Sequence, residues 1–134
     1  MPSSVNRFLT AIGYPESAPE GASSFTLRVD DGDVSLRTGD GRFFLSRALT
    51  RDPAELPRLA SFAPGRMLRE DAVLAADPAA NGEAFLWQDA PETADAVALQ
   101  RLFETFCDSC DWWLDRVHEL REPAPDIPPM MIRP

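Results

Sequence analysis

The chain has 134 residues, 44% of them hydrophobic, which fits one globular domain with a modest core and excludes wholesale disorder. Its formal net charge is −9, Lys is absent, and all 13 basic residues are Arg scattered along the chain. A nucleic-acid binder needs clustered cations to displace counterions from phosphates, so that class is excluded.

Val5, Phe8, Leu9 and Ile12 recur at helical spacing, with Ser3 or Ser4 as a cap and Gly13 and Pro15 as stops. A helix this short needs a surface to dock on. After a Pro/Ala/Ser/Gly loop, Phe25 to Val29 alternates, with Phe25, Leu27 and Val29 on one side. Turn chemistry at 30–33 leads into Val34 to Arg37, and Gly39-Asp40-Gly41 leads into a third strand, Arg42 to Leu49. Two tight turns joining three strands predict an antiparallel meander. The third strand is apolar on both faces at Phe43 and Phe44, so one side is either covered or offered to a partner.

Asp52 and Pro53 predict the N-cap and first position of a short helix through Leu56, Leu59 and Phe62, which Pro64-Gly65 ends or kinks. Residues 66–71 read ambiguously. Ala72 to Ala76 is a weak strand, DPAANG a turn, and Glu83 to Gln88 a strand with Phe85 and Trp87 on one face and Ala84 and Leu86 on the other. From about Thr93 to Leu120 the spacing predicts a long amphipathic helix. Its stripe is Leu99, Leu102, Phe103, Phe106, Cys110, Trp113, Val117 and Leu120, with Trp112 on the opposite side as an exposed Trp. The fold class is therefore α+β, an antiparallel sheet of about five strands with helices packed on it, in the order α-β-β-β-α-β-β-α. Residues 1–122 form the single domain, and 123–134, with five prolines, form an extended or disordered tail.

No catalytic constellation emerges. Cys107 and Cys110 sit mid-helix, where the dipole does little for a thiolate, and read as unreactive packing thiols. With one His and two Cys, a zinc set of four ligands is not available. His118 reads as a dipole-favoured cation near a helix C-terminus, with no nucleophile in view. The aspartates at 30, 31 and 33 lack calcium-loop spacing, and Gly39-Asp40-Gly41 lacks the Lys of a phosphate loop. No metal and no cofactor is expected. The excess acid reads first as solubility, and functionally as a carrier that keeps a sticky or basic partner in solution. No stretch approaches the ~18 apolar residues that span a bilayer, so no membrane insertion is expected. MPSSVNRFLTAIGYP lacks the apolar run of a signal peptide, and the expected location is cytoplasmic.

The stretches VNRFLTAIGY, FTLRVDDGDVSLR, RFFLSRAL and LQRLFETFCDSCDWWLDRV occur in an order that resembles the class I type III secretion chaperones, the Tir-chaperone or CesT-like group, over about residues 4–120. The resemblance implies a bacterial, cytoplasmic, non-enzymatic homodimer. Such a dimer binds the N-terminal segment of a secreted effector in extended form and keeps it soluble and competent for export. On this reading Phe8, Ile12, Phe43, Phe44, Phe85, Trp87 and Trp112 are the candidate partner contacts, and Leu59 and Phe62 the candidate dimer contacts. The Pro-interrupted second helix departs from the family where the dimer interface is expected, and Met130, Met131 and Ile132 in the tail have no counterpart. The alternatives are another protein-binding module, such as an immunity protein or regulatory partner, and a small thiol enzyme using Cys107 and Cys110.

Overall fold

A computed structural model describes residues 3–29, 32–67, 71–77 and 83–121. Its elements are α1 (Ser4–Ala11), β1 (Ser24–Val29), β2 (Gly32–Gly39), β3 (Arg42–Thr50), a 3₁₀ turn (Pro53–Glu55), α2 (Leu56–Ala60), α3 (Ala63–Met67), β4 (Val73–Asp77), β5 (Glu83–Pro91) and α4 (Ala96–Arg121). The five strands form one sheet in the order β1-β2-β3-β5-β4, every neighbouring pair antiparallel. This is the predicted α+β order, with the middle helix divided into short pieces.

Local chemistry explains the boundaries. Ser3 caps α1 by accepting from the Asn6 N–H at 3.2 Å. At the other end Gly13 has φ +74°, the Gly13 N–H donates to the Thr10 carbonyl and the Tyr14 N–H to the Leu9 carbonyl. This is a Schellman closure, and its left-handed position favours Gly. Asp40 and Gly41, at φ 53° and 73°, form the two-residue connection between β2 and β3. Positive φ at both positions gives the turn whose twist matches a hairpin.

Several predicted boundaries move, those of β5 and the long helix most. β5 continues past Gln88 to Pro91, which pairs with Arg42 at the end of the ladder. The long helix starts at Ala96 rather than Thr93, because Thr93 and Ala94 lie in the turn closed by the Ala94 N–H on the Pro91 carbonyl. Asp95 is then the cap, accepting from the Ala98 N–H at 2.8 Å. The middle helix breaks after Ala60 and resumes at Ala63. The predicted tail, the turn residues 30–31 and most of DPAANG lie outside the described residues.

One face of the sheet carries the core. Alternation turns Leu27, Val34, Leu36, Phe43, Leu45, Ala84 and Leu86 toward the helices, where they are buried. They meet Val5, Phe8 and Leu9 of α1, Leu59 of α2, and Leu99, Phe106, Cys110, Trp113 and Val117 of α4. Burying each large side chain contributes about 1.5–3 kcal/mol, which makes the α4 stripe the largest single investment. A bulge between Ala48 and Thr50 changes the parity of β3, so that Thr50 pairs with Ala84 and faces inward.

Candidate functional site

The other face of the sheet is not covered by any described helix. Register assembles it in cross-strand rows. One row is Thr26, Ser35, Ser46, Trp87 and Val73. The row on one side is Ser24, Arg37, Phe44 and Asp89, and on the other Ala48, Phe85 and Ala75. Small side chains thus lie beside tall ones, and the face forms an open concavity of about 1190 Å³. Phe44 and Trp87 stand with centroids 6.4 Å apart, and the Arg37 guanidinium lies 5.4 Å from the Phe44 centroid. Arg42 closes one end of the face by an Nε–Oδ2 contact of 2.6 Å with Asp89. Phe44, Phe85 and Trp87 are half-buried, and none packs against the helix-side core.

The predicted partner contacts therefore divide. Phe44, Phe85 and Trp87 come together on the open face. Phe8 and Phe43 do not: both are 0% exposed, with ring centroids 5.2 Å apart inside the core. In this conformation they are unavailable to a partner, because the inward parity of β3 and the docking of α1 enclose them. Ile12 is half-buried at the end of α1, against the margin of the core. Leu59, expected at a dimer contact, is likewise 0% exposed, enclosed in the core of this chain. Phe62 is half-buried and meets Trp112 edge-on at 6.2 Å.

Trp112 is not the exposed side chain that its place opposite the stripe predicts. It is half-buried, because the broken middle helix brings Phe62 against it and the Arg66 and Arg116 guanidiniums lie 4.5 and 4.8 Å from its ring centroid. Cys110 is buried and Cys107 half-buried on the same helix. His118 is exposed.

The two sheet edges differ. On β1 the Arg28 N–H points away from β2 and donates to the Tyr14 hydroxyl at 3.0 Å. The Schellman turn places Tyr14 there, and its ring meets Phe25 edge-on at 5.9 Å. Nothing among the described residues bonds to the outer edge of β4, and its Val73 is 39% exposed.

A polar cluster locks the helix side. The Glu55 carboxylate accepts from Thr50 Oγ1 at 2.5 Å and from Arg121 Nη2 at 2.9 Å and Nε at 3.1 Å. These hydrogen bonds, Arg121 first, hold the Glu55 carboxyl below the usual carboxylate range. They tie the end of α4 to the link after β3.

Arg37, Val73 and Tyr14, which stand at these surfaces, are not among the predicted contacts. Alternation from Val34 to Arg37 does place Arg37 outward, and Tyr14 two residues after Ile12 is legible as a helix-stop position. Its pairing with Arg28 is not.

No protein-family model and no curated protein sequence matches the chain. Solved structures do. A chain of the HopA1–SchA chaperone–effector complex superposes with a TM-score of 0.64 at 16% identity, covering 83% of this chain and 90% of that one. A chain of the ExoT–SpcS complex from Pseudomonas aeruginosa gives 0.63 at 16% identity, covering 81% and 92%. YbjN from E. coli, a candidate transcription regulator, gives 0.61 at 16% identity, covering 84% and 88%. The fold of this chain is that of the class I type III secretion chaperones.

Proposed function

We propose that the chain is a non-enzymatic cytoplasmic chaperone of a bacterial type III secretion system. In this reading it works as a homodimer and binds the N-terminal segment of a secreted effector in extended, export-competent form. The observation that carries the reading is the fold shared with SchA and SpcS, each solved together with an effector. Two surface features support it. Three aromatic side chains sit outside the chain's own core, and the β4 edge is free among the described residues to receive a strand. Ile12, Phe44, Phe85, Trp87 and Trp112 remain the candidate partner contacts, and Phe62 the candidate dimer contact.

The test is co-expression with N-terminal segments of secreted proteins encoded near this gene, followed by size-exclusion chromatography with light scattering. The expected product is a stable complex of two chains with one segment that is protease-sensitive when free. A chain that retains only a folded domain, and no unfolded segment, would sink the proposal. The likeness to YbjN favours a second reading, a regulatory protein that uses the same surface, and the same experiment separates the two.

A further inference from the structure

We propose that the connection between α1 and β1 is a strap that gates one end of the β1 edge of the sheet, and that Asn6 is the pin holding the strap shut. The inference concerns which part of the sheet's edge is open, and it stands apart from the reading of the chain as a chaperone.

The strap begins where α1 ends. Tyr14 and Ala18 are its two fixed points, and each is followed by a proline, Pro15 and Pro19. A residue before proline is confined to extended backbone, so both points are restricted in conformation. Only Pro15, Glu16 and Ser17 lie between them. The link is short and partly rigid, and a displacement at one point reaches the other.

Asn6 holds the second point from α1. Its Nδ2 donates to the Ala18 carbonyl at 3.2 Å, and its Oδ1 accepts from the Ala18 N–H at 2.8 Å. One side-chain amide thus satisfies both backbone groups of Ala18, as a neighbouring strand would. Ala18 is 7% exposed and belongs to the core cluster. Among the described residues, no other side chain bonds to the backbone of residues 15–22.

The first point faces the sheet. The Tyr14 hydroxyl accepts from the Arg28 N–H at 3.0 Å, the place that the carbonyl of an added strand would take. Alternation along β1 turns the Thr26 N–H to the same outer side, where it has no partner among the described residues. The strap therefore covers the Arg28 end of this edge, and a strand pairing with β1 beyond Thr26 has to displace Tyr14. The turn at the end of α1 fixes the N–H side of Tyr14 through the Leu9 carbonyl. Its carbonyl side is fixed only by the strap, and so by Asn6.

The experiment is amide hydrogen exchange on the full chain, followed by NMR, with Thr26 as the internal reference for Arg28. Asn6→Leu keeps the size of the side chain and removes both bonds to Ala18. The Arg28 amide should then exchange at least about threefold faster relative to Thr26. Tyr14→Phe gives the rate of the open gate. The Asn6→Leu, Tyr14→Phe chain should exchange no faster at Arg28 than Tyr14→Phe alone, because the pin acts through the hydroxyl. Arg7→Met is the control: it breaks the 2.8 Å bond from Arg7 to the Ala94 carbonyl at the next position of α1 without touching the strap, and should leave the Arg28 rate at the parent value. Circular dichroism melts show whether each variant is folded. Asn6→Ser, whose hydroxyl is too short to reach both groups of Ala18, takes the place of Asn6→Leu if that chain does not fold.

Arg28 exchange at the parent rate in the folded Asn6 variant overturns the proposal. Equal acceleration by Arg7→Met would show a general loosening of α1, and additive acceleration in the double variant would show that Asn6 and the hydroxyl act independently. Either of these results overturns it as well.

Discussion

Phe43 and Phe44 are neighbours in the chain, identical in chemistry, and opposite in fate. Phe43 points to the helix side, is 0% exposed and packs on Phe8 with a cation, Arg7, 5.5 Å from its ring. Phe44 points to the open side, half-buried, with Arg37 across from it on β2 and Trp87 as its aromatic neighbour. A two-residue period is the whole cause of the difference. One side of the sheet is spent on the core and the other is left outside it. The largest expected effect tests this division directly. Phe43→Ala should cost about 3–5 kcal/mol in urea denaturation, since it opens a cavity inside an enclosed core. Phe44→Ala should cost under about 1.5 kcal/mol, since its ring is only half-buried, and should show itself in partner affinity. Equal destabilisation by the two substitutions would break the contrast between the faces.

A second contrast of the same kind sits among the ion pairs. Arg28 and Asp33 pair at 3.7 Å with side chains 74% and 59% exposed. Arg121 and Glu55 pair at 2.9 Å with the Glu55 side chain only 12% exposed and Thr50 adding a further hydrogen bond. Solvent screens the first pair, so Asp33→Asn should move stability by no more than about 0.5 kcal/mol. Glu55→Gln removes a charged acceptor from several donors and should cost about 1–3 kcal/mol, the upper end being reduced because Arg121 is half-exposed. The pH dependence has a definite sign. The folded Glu55 carboxyl titrates below its unfolded value, so its contribution is present above the ordinary carboxylate pKa and is lost as pH falls through the lowered folded value. Denaturation curves of the parent and Glu55→Gln chains should therefore converge below about pH 4. A constant difference between them through that acid range would refute the assignment.

Much of this was legible in the residues because it depends on periodicity. Alternation in β5 set Phe85 and Trp87 apart from Ala84 and Leu86, and the α4 stripe announced Leu99, Phe106, Trp113 and Val117 as buried. What periodicity does not give is which face the helices choose. Phe43 and Phe44 look equivalent until α1 and α4 settle on one side, and for that reason the sequence groups Phe8 and Phe43 with Phe44, Phe85 and Trp87 of the opposite face. The exposure expected of Trp112 is reduced for a related reason. Position on a helical wheel takes no account of Phe62, Arg66 and Arg116 arriving from the middle helix and from the next turn to flank the indole. Leu59 stood in a helix read as an interface, but a five-residue helix has little surface to spare once it has anchored itself to the core.

The smallest effect concerns the two edges. β4 presents an outer edge with no described partner, whereas β1 has its Arg28 N–H held by the Tyr14 hydroxyl. That guard depends on a chain of local causes: Gly13 in the left-handed conformation closes α1, the closure directs Tyr14 onto β1, and the ring is steadied edge-on by Phe25. Tyr14→Phe keeps the ring and deletes only the acceptor, so the fold should lose less than about 1 kcal/mol, the net worth of one exposed hydrogen bond. The sensitive reading is amide hydrogen exchange. Arg28 should exchange faster in the Tyr14→Phe chain while the amides of β3 and β5, interior to the sheet, stay unchanged. A strand-forming partner segment should also gain access to β1, an edge that the parent chain withholds, and crosslinks from that segment should then appear at β1 as well as at β4. Unchanged Arg28 exchange would mean that the hydroxyl does not guard this edge, and the asymmetry between the edges would lose its physical basis.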